Sequence, residues 1–236
     1  MSQNQLTMKT LLILVTLICI SFGAISQDCN SLTMIQEGSK WELTNYNKKD
    51  KVQGSTVYHV TKVASQGDGV KWTIEMDMKD DKGEVYSEST TDISCEAGVF
   101  KMSMENFMNN EQMQGLQDMD VEVDASNIEY PTEPKIGETL PDASINIKVS
   151  TNGMTMMNMT TTITDRKVEK KETIETPAGS FDCLIVTQKT TIANKLLNKE
   201  YPSKDWYVPG FGVVRSESYK SNGKLMGYSL LTMYQK

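Results

Sequence analysis

The sequence is short of the residues that most catalytic and metal centres require. His59 is the only histidine in 236 residues. Any Ser/His/Asp or Cys/His mechanism would have to run through it. It sits inside an alternating run between Tyr58 and Val60, whereas catalytic bases favour loops and clefts. No C-x-x-C or H-x-x-x-H spacing occurs, which removes the usual zinc ligand sets. Basic residues are also in deficit: 24 Lys and Arg face 31 Asp and Glu. Nucleic acids and anionic lipid surfaces both demand a positive face, so neither is expected as a partner. Long apolar runs are absent apart from one, Leu11 to Phe22.

That run lies in an export signal. Lys9 is the only charged residue among the first 26, and Ala24-Ile25-Ser26 supplies the small-x-small pattern for cleavage before Gln27. The run is too short to span a bilayer comfortably. Neither Ile18 before Cys19 nor Asp28 before Cys29 is the small residue of a lipobox. The expected product is residues 27–236, exported to the periplasm or the exterior, with no integral membrane insertion after cleavage. Its 23 basic and 31 acidic residues give a net charge of −8. Cys29, Cys95 and Cys183 remain, enough for one disulfide and one spare thiol. Three pairings are open. Cys29 with Cys95 is favoured because it would tie down the N-terminus.

Periodicity predicts strands nearly throughout. Trp72, Ile74, Met76 and Met78 alternate with Lys71, Thr73, Glu75 and Asp77, as a half-buried antiparallel strand should. Asn152-Gly153 marks a hairpin, and Asp165-Arg166 a bend in its returning strand. Pro131, Pro134, Gly137 and Pro141 predict a loop, with a subdivision of the sheet near 131–142. Residues 105–117 carry no β-branched side chain and approximate helical spacing. About ten strands and one short helix follow, in one mostly β domain: an antiparallel curved sheet or half-barrel.

Several local patterns invite a function and are better explained by structure. Asp118, Asp120, Glu122 and Asp124 alternate like the wet face of a strand, not like a calcium loop. Met154, Met156, Met157 and Met159 could attract Cu(I), but strand alternation divides them between two faces, and no metal is expected. Trp206-Tyr207 and Phe211 flank a Pro-Gly turn, as a glycan platform or as anchors of the sheet. Met102, Met104, Phe107, Met108 and Met113 would place a Met-rich helix against a concave sheet and line an apolar, lipid-like pocket.

The C-terminal half of the chain resembles a known family, a likeness that covers most of the mature chain from about Cys29 and is sharpest after residue 130. The residues that carry the likeness are Ile136-Gly137-Glu138-Thr139-Leu140-Pro141-Asp142-Ala143, Asp165-Arg166-Lys167-Val168, Thr176-Pro177-Ala178-Gly179-Ser180-Phe181-Asp182-Cys183, Asp205-Trp206-Tyr207, Gly210-Phe211-Gly212-Val213-Val214-Arg215-Ser216-Glu217 and Asn222-Gly223-Lys224-Leu225. They are similar to the TapB-like family of exported Bacteroidetes proteins, domain of unknown function 3108. The resemblance implies a curved antiparallel half-barrel like that of periplasmic lipoprotein carriers, with no catalytic residue and no cofactor. The expected role is non-enzymatic: binding a lipid-like ligand or an envelope protein. A structural or interaction module without a small ligand is the alternative, and a carboxylate-based hydrolase the third.

Overall fold

The computed structural model describes Cys29 and residues 34–67, 69–107 and 119–236. The expected signal and its cleavage point lie outside these residues. Thirteen strands are present among them: β1 Lys40–Asn47, β2 Val52–Gln66, β3 Gly69–Lys79, β4 Val85–Glu96, β5 Val99–Ser103, β6 Asp120–Ala125, β7 Asn127–Pro131, β8 Ala143–Thr151, β9 Met154–Thr176, β10 Gly179–Asn194, β11 Asn198–Val208, β12 Gly212–Tyr219 and β13 Leu225–Gln235. They form one antiparallel sheet in the order β6-β8-β9-β10-β11-β12-β13-β1-β2-β3-β4-β5-β7. Three more strands are found than periodicity predicts. β1 shows no strict alternation of buried and exposed positions, its register shifts lying in its neighbours β13 and β2, and β7 is a five-residue strand beside the proline-rich segment.

The order explains the shape. β6 and β7 follow one another in sequence yet stand at opposite ends of the sheet, so the sheet curls until its edges nearly meet. Ser126, the one residue between them, spans the seam: its N–H donates to the Ser144 carbonyl at 2.8 Å and its carbonyl accepts from Met104 N–H at 3.0 Å. Near-closure satisfies the edge groups that an open sheet would leave exposed. The loop 132–142 continues the lacing. Gly137 N–H donates to the Val168 carbonyl, and Leu140 N–H to the Arg166 carbonyl.

Alternation fixes the core. On β3, Trp72, Ile74 and Met76 are buried while Glu75 is exposed. Trp41, Phe181, Phe211 and Tyr234 meet in edge-on and stacked contacts around Phe211. Trp206, Tyr207 and Phe211 are all buried, so these aromatics anchor the sheet. Cys29 is bonded to Cys95, and Cys183 is unpaired and buried. The predicted hairpin turn is present at Asn152-Gly153, both with positive φ (49° and 75°), the geometry of a two-residue type I′ turn.

Of the helix expected over 105–117, the described residues hold one 3-10 turn, Met104–Phe107, and residues 108–117 lie outside them. Met108 and Met113 lie outside the described residues, as does the side chain of Phe107. Of the pocket residues that remain, Met104 is packed into the core at 3% exposure and Met102 is half-buried against it.

Candidate functional site: a polar cleft above a buried Asp–Arg network

A bulge begins the site. Thr187 pairs with Lys167 and Lys189 with Thr164, so Gln188 faces two residues, Asp165 and Arg166. Asp165 takes a positive φ of 53° to make the step. A bulge bends its strand and re-aims side chains. Here it turns Arg166 inward, to 0% exposure. The guanidinium donates from Nη1 to the carbonyls of Glu129 on β7 (3.1 Å) and Pro141 (2.6 Å), and from Nε to Gln188 Oε1 on β10 (3.2 Å). Its carbon lies 4.7 Å from the centre of the Tyr130 ring. Tyr130 in turn stacks on Tyr207 of β11 at 4.4 Å. β7 and β11 are far apart in the strand order, so this stack crosses the interior. Arg166 thus pins the seam from inside.

Asp205 lies beside this pin and is 4% exposed. Gln188 Nε2 donates to its Oδ2 at 2.7 Å and Ser216 Oγ to its Oδ1 at 2.6 Å. Burial raises its pKa to about 6, against the pull of the Ser216 hydrogen bond and the Arg166 charge. The Tyr130 hydroxyl is pushed up to about 12, first by burial and then by the Asp205 charge.

Above the network the inner face opens. On β11, Tyr207, Asp205, Ser203, Tyr201 and Lys199 share one face by alternation. Their cross-strand neighbours extend that face: Gln188 and Ser218 flank Ser203, and Thr190 lies beside Tyr201. Together with Ser216 and Met226 these residues bound a cavity of about 370 Å³. Met226 is the extra residue of a bulge that opens where β12 and β13 pair Ser218 with Gly227 and Tyr219 with Leu225. Tyr201 and Met226 also line a second cavity, of about 630 Å³, continuing outward past Lys199, Glu200 and Lys220. Volumes of this order suit small ligands. The lining is unusual for an apolar carrier: one amide, four hydroxyls of Ser and Thr, one Tyr and one thioether at the inner level. The Ser203 hydroxyl and Arg166 Nη2 are buried without a hydrogen-bond partner.

The chain matches the DUF3108-like family over residues 36–231. It belongs to that family. Two solved structures share the fold. A putative exported protein with YmcC-like fold from Bacteroides fragilis is 24% identical, covers 85% of this chain and 97% of its own, and superposes with a TM-score of 0.68. A putative lipoprotein from Parabacteroides distasonis is also 24% identical, covers 89% and 100%, and has a TM-score of 0.72. At that identity the likeness speaks for the fold, and the curved, nearly closed antiparallel sheet agrees with it. No curated protein matches the chain.

The residues singled out from sequence stand elsewhere. Neither cavity is lined by Met102 or Met104. His59 pairs with Glu75 at 3.8 Å on the neighbouring strand. Asp120, Glu122 and Asp124 are exposed along β6, with Glu122 held by Lys148 at 3.0 Å; Asp118 lies outside the described residues. Met154, Met156 and Met157 are exposed near the β8–β9 turn. Among the described residues, no three His, Cys, Asp or Glu side chains converge as a metal site would require. The cleft itself was missed. Serine and threonine on alternating strands look like any wet face until the sheet curls round them.

Proposed function

We propose that this protein is an exported envelope protein that binds a polar, hydroxyl-bearing ligand of saccharide type in the cleft between β10 and β13. Export is supported by the apolar run ahead of Ala24-Ile25-Ser26 and by the names of its fold relatives, an exported protein and a lipoprotein. One observation carries the ligand class. The inner cavity presents an amide and several hydroxyls beside one aromatic ring and one thioether. A sugar offers the complement: a rim of hydroxyls and a C–H face. An acyl chain there would desolvate the Thr190 and Ser218 hydroxyls and leave the buried Ser203 hydroxyl still without a partner, at about 1–3 kcal/mol for each group left unpaired.

Binding without conversion is the reading that the carboxylates support. Hydrolysis of a glycosidic bond by carboxylates takes a pair flanking the bond. In this cleft Asp205 is held beneath the lining by Gln188 and Ser216, and Glu200 in the outer cavity lies 3.7 Å from Lys189.

The test is a screen of envelope-type oligosaccharides against the mature protein and against Ser218→Trp, which fills the cleft from an exposed strand position. Saturable binding of a saccharide by the native protein, lost in the folded variant, is expected. Saturable binding of a fatty acid, or of a partner protein, that is indifferent to Ser218→Trp would refute the reading.

A further inference from the structure

We infer that the ligand is anionic and enters in one orientation, its charged group between Lys199 and Lys220 and its uncharged hydroxyl part toward Ser203. The inference rests on the cleft reading above and specifies its ligand.

The argument is the charge gradient along one face. At the bottom stand Asp205 and its hydrogen-bond partners, and a negative group placed there would meet a buried carboxylate. In the middle, Tyr201, Ser203 and Ser218 are uncharged. At the mouth, Lys199 continues the alternation of β11, and Lys220 follows β12 two residues beyond Ser218. Both lysines are exposed, and neither has an ion-pair partner among the described residues. Glu200, the acidic residue of the outer cavity, faces Lys189 at 3.7 Å. Two unpaired cations therefore stand at the mouth of a protein whose charge is otherwise strongly negative. Lysine is a point charge on a flexible stem, so it accepts a carboxylate or a phosphate alike.

Three matched probes decide the matter: an oligosaccharide ending in glucose, the same chain ending in glucuronic acid, and the same chain carrying a 6-phosphate. Affinities are measured by calorimetry at low and high salt. The native protein should prefer a charged probe, and the preference should shrink in 0.5 M salt by screening. Lys199→Gln with Lys220→Gln should weaken the charged probe about tenfold, as two exposed ion pairs would, and leave the neutral probe unchanged. Whichever anion is preferred identifies the charged group. Equal affinity for all three probes, with no effect of the lysine changes, would overturn the inference while leaving the cleft in place. Equal binding of every probe by Ser218→Trp would overturn the cleft, and the inference with it.

Discussion

Asp205 offers the sharpest energetic test of the network beneath the cleft. Its carboxyl is raised from an ordinary value of 3.8 to about 6, chiefly by burial. A carboxyl with a raised pKa holds its proton more tightly in the folded state than in the unfolded chain. Between about pH 4 and pH 6 the folded state therefore binds more protons, and stability falls as pH rises. Below about pH 4 both states are protonated and the contribution is fully present. Above about pH 6 it is lost. The whole difference is about 3 kcal/mol. Asp205→Asn removes the titration but keeps the geometry: the amide oxygen accepts from Gln188 Nε2, and the amide nitrogen donates to Ser216 Oγ, which turns to accept. Urea unfolding of both proteins from pH 4 to pH 8, disulfide intact, reads the difference directly. All other groups titrate in both chains and cancel. The variant should gain on the native protein by about 2.5 kcal/mol across that range, a separation of about 1.2 M in midpoint at an m-value near 2 kcal/mol/M. Stability curves that stay parallel over the range would refute the burial of Asp205 as the controlling cause.

Arg166→Leu should cost more than about 3 kcal/mol, because it strands Gln188 and the carbonyls of Glu129 and Pro141 inside the seam; thermal denaturation checks it, and a change near zero would deny Arg166 its role as the pin. Cys29→Ser with Cys95→Ser opens a loop of 66 residues and should lower stability by about 4 kcal/mol on the chain-entropy account, measured by urea midpoint. Cys183, buried and with its thiol pushed up to about 12 by desolvation, should resist iodoacetamide at pH 8 in the native state and react fully in urea; rapid native labelling would contradict the packing.

Much of the fold was legible because the strands are half-buried. Alternation exposes β3 and its partner β4, the Asn152-Gly153 turn betrays the β8–β9 hairpin, and Asp165-Arg166 marks the break in β9. What alternation cannot say is which half of a wet strand face will end up inside. Ser203, Ser216 and Ser218 acquire their role only when β7 is brought round to β9 and β10 by Arg166. Asp205 was visible in the sequence as part of Asp205-Trp206-Tyr207, but its burial depends on β10 and β12 on either side. The Cys29–Cys95 pairing needed the fold as well, since three pairings were open to the chain alone. Of the residues in the methionine pattern around 102–113, Met104 is packed in the core, and Met108 and Met113 lie outside the described residues.

The cleft is tested most directly by mapping the ligand onto the backbone. Amide chemical shifts of the ¹⁵N-labelled mature protein would be followed during titration with the glucuronic-acid-ended oligosaccharide. The account predicts saturable shifts concentrated at Gln188, Thr190, Tyr201, Ser203, Ser216 and Ser218, with Lys199 and Lys220 moving less for the glucose-ended probe. Shifts centred on residues 102–107 or on the exposed Met154–Met157 turn, with the β10–β12 amides still, would contradict it.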